Sequence, residues 1–148
     1  LPILARKFLE QCAEEEDFNI RTGNHIEERP GMINYSLVGR NATMRDRKAF
    51  VDWEAWNGSR RRTADAFNIM FPELQATIGG ETGIDIGPKG SDKSQILRDF
   101  IKEDKIVFFG DAIFEGGNDL SLAEAIANKE LGMFYKVTEW KETWEILK

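Results

Sequence analysis

A short segment near residue 110 carries the residues best suited to chemistry. It reads Phe-Gly-Asp-Ala-Ile-Phe-Glu-Gly-Gly-Asn-Asp, and Asp111 in it follows an apolar run that predicts a buried parallel strand. An acid there lies at the carboxyl edge of the sheet, where open α/β sheets bind ligands. Its oxygen atoms suit Mg²⁺, which pairs with phosphate. Ordinary turn and cap residues would give the same spacing. The tight turn and the next helix start are predicted at Gly116, Gly117, Asn118 and Asp119.

Lys93 is a second candidate for binding an anion. It follows the segment Pro-Lys-Gly-Ser-Asp and is predicted in the first turn of a helix. Its ammonium group and the exposed backbone amides of that turn could then face the same anion. The helix dipole disfavours a cation at this end, which favours a functional reason for the lysine. A solvated surface lysine is the alternative, and the sequence leaves both open.

Three arginines in the first half of the chain could bind a phosphate group. Arg29 lies beside a predicted hairpin turn, Arg40 follows the second predicted strand, and Arg47 lies on the next predicted helix. Guanidinium groups bind phosphate through two parallel hydrogen bonds. Most arginines are simply solvated, however, and the same half of the chain contains others, including Arg60, Arg61 and Arg62.

The composition excludes several classes of function. The net charge of −6 argues against general nucleic-acid binding, which needs a basic surface. No apolar run is long enough to span a membrane, so we expect neither nucleic-acid nor membrane partners. The single cysteine, Cys12, rules out an intrachain disulfide and fits a reducing, cytoplasmic location, with Cys12 as a core residue. His25 is the only histidine, so neither a histidine-based triad nor a histidine-rich zinc site is supported.

The periodicity of residues 1–87 predicts an α+β unit with antiparallel strands. Leu4, Phe8 and Cys12 would share the buried face of the first helix. Thr43 and Asp46 are spaced as a capping box, and Ser59 would cap the helix after Asn57-Gly58. In chain order, the predicted elements are a helix over 1–16, strands over 24–29 and 32–38, helices over 43–53 and 59–71, and strands over 74–79 and 82–86.

Residues 88–148 predict a different architecture, after a linker at 87–90. The nearly continuous apolar run over 105–109 is typical of a parallel strand buried on both faces. Ser121 and Glu124 are spaced as a capping box for the helix that follows. Two parallel strands are few for a free-standing sheet, so this part resembles half of an α/β layer. Its predicted elements are a helix over 92–103, a strand over 105–109, a helix over 119–128, a strand over 132–137 and a helix over 139–147.

Four motifs together resemble one family, the eukaryotic phosphomannomutases of the haloacid dehalogenase superfamily. The segment 26–41 is similar to the family stretch F-I-E-x-R-N-G-M-x-N-x-S-P-I-G-R, and 78–85 to I-G-G-x-x-S-F-D. Ser91-Asp92-Lys93 is similar to G-W-D-K. The sequences Phe-Phe-Gly-Asp and Gly-Gly-Asn-Asp near residue 110 match the family's F-F-G-D and G-G-N-D. The resemblance covers nearly the whole chain in the same order.

The resemblance implies a fold and a set of roles. Residues 1–87 would be an α+β substrate-binding cap, and 88–148 the C-terminal portion of a Rossmann-like haloacid-dehalogenase core. The activity would be Mg²⁺-dependent interconversion of mannose 6-phosphate and mannose 1-phosphate, a step toward GDP-mannose, in a homodimer formed through the cap. Lys93 would be catalytic and Asp111 a metal ligand. The hexose phosphate substrate would be bound by Arg29, Asn34, Arg40, Arg47 and Asp85, with the arginines on its distal phosphate and the other two facing the sugar.

The sequence also departs from the family pattern. Gly83 replaces the serine of I-G-G-x-x-S-F-D, and Pro30 and Ser91 replace the asparagine and tryptophan of two other motifs. The family's nucleophile motif, Asp-x-Asp-Gly-Thr, does not occur among the 148 residues. We therefore expect that they are a portion of a longer enzyme and that catalysis by them alone is negligible. A sugar-phosphate phosphatase and a non-catalytic sugar-phosphate-binding or dimerisation module are the alternatives.

Overall fold

An antiparallel sheet of four strands organises the first half of the chain. The computed structural model describes residues 1–148, and their contacts divide them into unit 1, Leu1–Lys89, and unit 2, Gly90–Lys148. The sheet of unit 1 has the strand order β1-β2-β4-β3, and all its neighbours are antiparallel. The elements of unit 1 are α1 (Ile3–Glu15), β1 (Ile26–Arg29), β2 (Met32–Ser36), α2 (Met44–Asn57), α3 (Ser59–Met70), β3 (Leu74–Gly79) and β4 (Gly83–Pro88).

The two faces of this sheet differ in chemistry because side chains alternate along each strand. One face is apolar and forms a core with α1 and α3, in which Tyr35, Ile84 and Ile86 are buried against Leu9 and Phe67. The residues between them, such as Asn34 and Asp85, therefore belong to the opposite face. The fold thus separates a packed face from a polar one.

Helix α1 buries a different face from the predicted one. Ala5 and Leu9 are fully buried, whereas Leu4 is 71% exposed, so the prediction that placed Leu4 in the core is wrong. Phe8 lies at the edge of the buried stripe, with its ring centroid 6.0 Å from that of Phe67. Cys12 is half-buried, and burial raises the pKa of its thiol. Helical periodicity allows neighbouring stripes, and contact with α3 and the sheet selects one of them.

The capping box of α2 is confirmed. The Asp46 backbone N–H donates to Thr43 Oγ1 at 3.2 Å, and the Thr43 backbone N–H donates back to the Asp46 carboxylate at 2.9 Å. The helix continues past Trp53 because the chain first leaves the helical conformation at Gly58, whose φ is +69°. The prediction that Ser59 caps α3 is wrong, since Ser59 is already its first residue and makes no capping bond.

Unit 2 contains one pair of parallel strands. Its elements are a 3₁₀ helix (Lys93–Asp99), β5 (Ile106–Gly110), α4 (Leu120–Asn128), β6 (Gly132–Lys136) and α5 (Trp140–Ile146), and β5 pairs with β6 in parallel. The long helix predicted over 92–103 is therefore wrong. Its apolar residues Ile96, Phe100 and Ile101 are exposed, so little packing is available to stabilise a regular α-helix. None of the helices in the structure is long and apolar enough to cross a membrane.

The strand β5 is not buried on both faces, which corrects a second prediction for this half. Val107 is 53% exposed, and Met133 and Phe134 of β6 are also exposed. A sheet of two strands carries few elements on its faces, so apolar side chains that would be covered in a wider sheet remain accessible.

Candidate functional site

The residues singled out in unit 2 come together at the end of β5. Asp111 directly follows Gly110, the last residue of β5, as predicted for a ligand-binding edge. Lys93 is the first residue of the 3₁₀ helix, and its Nζ atom donates to Asp119 Oδ1 and lies 3.4 Å from Asn118 Oδ1. Asp119 is only 3% exposed. The structure therefore pairs the candidate lysine with an acid from the loop that sequence analysis had treated as a helix start.

The Asp119 carboxylate forms hydrogen bonds with the loop after β5 and does not cap α4. Its Oδ2 atom accepts a hydrogen bond from the Ala112 backbone N–H at 3.0 Å, and the Asp119 backbone N–H donates to the Ala112 carbonyl at 3.3 Å. The Asp119 side chain makes no capping bond to α4, and the predicted Ser121–Glu124 capping box is not formed. The turn of this loop lies at Gly117, whose N–H donates to the Phe114 carbonyl, with Gly116 before it.

The protonation of Asp119 reflects its surroundings. Burial raises the pKa of this carboxyl group, but hydrogen bonds from Lys93 and Ala112, the charge of Lys93 and a hydrogen bond with Asp111 outweigh it and lower the pKa below its ordinary value. Asp111 and Asp119 thus place two carboxyl groups beside Lys93 at the end of β5.

A cavity of about 300 Å³ opens beside these groups. Lys93, Asp111 and Asp119 line it, together with Glu139 and Trp140 from the start of α5. Sequence analysis missed the last two. Both residues follow β6, and the carboxyl ends of paired parallel strands lie at the same edge of a sheet. The predicted parallel strands could therefore have placed these two residues beside Asp111.

Unit 1 joins three of its five candidate residues by direct hydrogen bonds and a fourth, Arg29, through Glu27. Asn34 Nδ2 donates to Asp85 Oδ1 at 2.8 Å, and Arg40 Nη1 donates to Asn34 Oδ1 at 3.1 Å. Arg40 and Arg29 both bind Glu27 Oε2, at 2.8 and 2.7 Å. Glu27, which sequence analysis missed, thus links the two arginines.

Sheet register explains this cluster. Glu27 is the cross-strand partner of Asn34, and Asn34 is the partner of Asp85 on the other side. Partners in an antiparallel sheet point to the same face, so these three side chains form one polar row. Arg29 lies two residues further along β1 and therefore points to the same face as Glu27.

Arg47 is not part of this hydrogen-bonded cluster. It lies on α2, and its Nε atom donates to the Ala42 carbonyl at 3.4 Å. Arg47 lies in unit 1, as the cluster does. That Arg47 binds a ligand remains a prediction.

Arg60 is less exposed than its neighbours Arg61 and Arg62. Its side chain is 16% exposed, and its Nε atom lies 3.4 Å from the carboxylate of Glu54, which is also partly buried. Its Nη1 atom donates to the Gly80 carbonyl at 2.9 Å. Burial lowers the pKa of Arg60, a shift that the charge of Glu54 opposes. Arg60 therefore anchors the turn between β3 and β4 and is not a solvated arginine.

Comparison with known proteins identifies the family. A family model described as eukaryotic phosphomannomutase matches residues 5–148. The chain belongs to this family. The phosphomannomutase of Encephalitozoon cuniculi is 37% identical over 119 residues, which are 78% of this chain and 46% of that relative. The phosphomannomutase of Arabidopsis thaliana is 36% identical over 111 residues, 74% of this chain and 45% of that relative. The chain thus spans about half the length of the curated relatives it matches.

A solved structure supports the fold independently. An N-terminal truncated Plasmodium falciparum IMP-nucleotidase superposes with a TM-score of 0.58 over 97% of this chain and 37% of that chain, at 16% identity. At this identity the likeness concerns the fold alone. The predicted mixture of α-helices and β-strands, with an antiparallel sheet, is thereby confirmed.

Gly83 stands where the phosphomannomutase motif has serine, and the geometry explains why a side chain is disfavoured here. A Cβ atom at residue 83 would lie 2.5 Å from Asn34 Nδ2 and 3.1 Å from the Gly79 carbonyl oxygen. Asn34 is held in place by Asp85 and Arg40. We expect Gly83→Ala to lower the free energy of unfolding by about 1–3 kcal/mol, the usual cost of overpacking, as measured by urea unfolding.

A double-mutant cycle tests the cause of that loss. If contact with Asn34 is responsible, Gly83→Ala costs much less in an Asn34→Ala background than in the native one. Strictly additive effects would show that the new methyl group meets something other than Asn34.

Proposed function

We propose that the chain is the substrate-binding and lysine-bearing portion of a phosphomannomutase that interconverts mannose 6-phosphate and mannose 1-phosphate. The observation that carries the proposal is the group at the end of β5, in which Lys93 pairs with buried Asp119 beside Asp111. A lysine and two acids around one cavity suit phosphoryl transfer, because that chemistry depends on positioning and charge neutralisation.

The acids of this group fit a magnesium ion. Asp111 and Asp119 would hold it, since Mg²⁺ is commonly bound through one or two carboxylates together with water and substrate phosphate. When bound, the ion would neutralise negative charge on the transferring phosphoryl group. Lys93 would hold a second positive charge beside the same group and keep Asp119 ionised.

Unit 1 would serve as the cap. In this proposal the boundaries are 1–87 for the cap and 88–148 for the core portion. Arg29, Arg40 and Arg47 would bind the distal phosphate, while Asn34 and Asp85 would face the sugar. The polar row of β1, β2 and β4 supports this role, because it gathers guanidinium, amide and carboxylate groups on the face opposite the apolar core.

The proposal is tested by comparing the complete gene product with the 148 residues alone. We expect the complete product to convert mannose 1-phosphate to mannose 6-phosphate in a Mg²⁺-dependent manner, with Asp111→Asn weakening that dependence. The 148 residues, which contain no Asp-x-Asp-Gly-Thr motif, should bind sugar phosphate without turnover. Release of inorganic phosphate in place of isomerisation would identify a phosphatase. Absence of both reactions in the complete product would leave a binding module.

We also propose a homodimer formed through residues 1–87. Large apolar side chains of this unit remain exposed, including Met44, Trp56 and Ile69. A second copy could cover such side chains. Light scattering during size-exclusion chromatography would measure the mass, and a monomer at all accessible concentrations would contradict the proposal.

A further inference from the structure

A single guanidinium nitrogen of Arg60 joins the two ends of the turn between β3 and β4. Its Nη1 atom donates to the Gly80 carbonyl at 2.9 Å and to the Gly83 carbonyl at 3.4 Å. Gly80 begins the turn and Gly83 ends it, since Gly79 and Gly83 are the last paired residues of the hairpin. Arg60, which belongs to α3, therefore holds this turn from outside the sheet.

The carboxylate of Glu54 fixes Arg60 at two points. It accepts a hydrogen bond from the Arg60 backbone N–H at 3.0 Å and lies 3.4 Å from the Arg60 Nε atom. The side chains of Arg60 and Glu54 are 16% and 11% exposed, so their attraction is screened much less than that of a surface ion pair. Glu54 thus sets the direction in which the guanidinium group points.

Gly83 connects the turn to the polar row through Asn34. A Cβ atom on Gly83 would lie 2.5 Å from Asn34 Nδ2, so the Asn34 amide packs directly on the glycine backbone. The same amide nitrogen donates to Asp85 Oδ1 at 2.8 Å. A shift of the backbone at Gly83 would therefore displace the Asn34 amide and change its hydrogen bond with Asp85. These are the two side chains that we propose to face the sugar.

We propose that Arg60 is a positioning residue for recognition of the sugar, because it fixes the turn that holds Asn34 and Asp85 in one arrangement. The inference rests on the proposed function, in which these two side chains contact the sugar while arginines contact its phosphate. Arg60 acts through the turn and does not itself contact the ligand. Groups that are already held in the bound arrangement favour binding, because the ligand does not have to order them.

The arginines proposed for phosphate binding depend much less on this turn. Glu27 Oε2 lies 2.7 Å from Arg29 Nη2 and 2.8 Å from Arg40 Nε. Glu27 belongs to β1, and the strand order β1-β2-β4-β3 places β1 and β3 at opposite edges of the sheet. Arg40 also bonds to Asn34, but its contact with Glu27 does not involve the turn. Loss of the Arg60 contacts should therefore weaken the contribution of the sugar to binding and leave that of the phosphate nearly intact.

Two variants separate the contacts of Arg60 with the turn from its ion pair with Glu54. Glu54→Gln removes the ion pair, keeps a side-chain oxygen for the Arg60 backbone N–H and leaves the guanidinium donors in place. Glu54→Gln/Arg60→Met also removes those donors, and it leaves no charge buried without its partner, which would strongly destabilise the fold. Arg61→Met, on the same helix, controls for loss of a positive charge. Circular dichroism melting curves would establish that every variant is folded at the temperature of the titrations.

Each 148-residue protein would be titrated with mannose 6-phosphate and with methyl phosphate, a phosphate ester without the sugar, and binding followed by NMR chemical shifts. We expect Glu54→Gln/Arg60→Met to bind mannose 6-phosphate about 5- to 10-fold more weakly than Glu54→Gln does, as for loss of one well-placed hydrogen bond. Both should bind methyl phosphate alike, and Arg61→Met should keep the native ratio of the two affinities. Equal binding of mannose 6-phosphate by the two Glu54 variants would overturn the inference. So would equal weakening of both ligands, which would mean that Arg60 only supports the fold of the unit.

A double-mutant cycle with Asp85→Ala tests the route to the sugar and recognises failure of the proposed function separately. In the Asp85→Ala background, loss of Arg60 should reduce the affinity for mannose 6-phosphate much less than in the native background, and an undiminished loss would contradict the inference. If Asp85→Ala itself binds mannose 6-phosphate as the native chain does, the sugar-facing assignment is wrong and the inference falls with it. If Asp85→Ala weakens binding while the two Glu54 variants bind alike, only the role of Arg60 is wrong.

Discussion

Lys93→Met is expected to lower kcat of the complete enzyme by about three orders of magnitude or more, the range in which cationic groups act on phosphoryl transfer. Lys93 contacts the buried carboxylate of the group at the end of β5, and its loss removes the positive charge that faces Asp119. Steady-state assays of the isomerisation would measure the change. Lys102→Met, which removes an exposed lysine from the same unit, is the matched control and should keep native activity.

The same substitution should also destabilise the fold, because Asp119 is buried. A buried acceptor that loses its donor costs about 1–3 kcal/mol. The lowered pKa of Asp119 sets the pH dependence. Its contribution to stability is present above the pKa of the unfolded chain, about 3.9, and is lost as the pH falls through the lower pKa of the folded state.

Urea unfolding at two pH values separates charge from packing. The stability difference between the native chain and Lys93→Met should be largest near neutral pH. It should disappear below the folded-state pKa of Asp119, where this group is protonated in both proteins. An equal difference at both pH values would mean that Lys93 contributes through the packing of its methylene groups instead of its charge.

Arg40→Gln is expected to weaken binding of mannose 6-phosphate to the 148-residue chain by about 10- to 100-fold, or roughly 1.4–2.7 kcal/mol. Arg40 bridges the two halves of the cluster, since its Nε binds Glu27 and its Nη1 binds Asn34. Its removal takes away a charge and the hydrogen bond to the Asn34 amide. Arg40→Lys keeps the charge but not the planar fork, so it should recover only part of the affinity.

A matched control distinguishes the site from general electrostatics. Arg61→Gln makes the same change of charge on α3, where Arg61 pairs with Asp65 at 2.8 Å. Titration calorimetry should give Arg61→Gln native affinity. Equal weakening in Arg40→Gln and Arg61→Gln would mean that the net charge of the unit, and not a site, attracts the ligand.

Local pattern predicted much of the fold. The capping box of α2, the hairpin turns and the parallel strands were all placed correctly, because each depends on residues adjacent in the chain. The position of Asp111 after β5 followed from the same logic.

The wrong predictions of secondary structure and burial have a common cause as well. The buried face of α1 and the short 3₁₀ helix after Asp92 depend on what packs against them, and hydrophobic periodicity does not contain that information.

The same distinction between local pattern and tertiary packing applies to the candidate sites. The sequence by itself determined the family. It also identified the loop after β5, Lys93 and the arginines as candidates for binding phosphate. Only the tertiary structure decided which of them meet. It paired Lys93 with Asp119, and it placed Glu27 between Arg29 and Arg40. Such contacts arise from strand register and loop closure across distant parts of the chain, whereas residue type and spacing describe only what each segment can do.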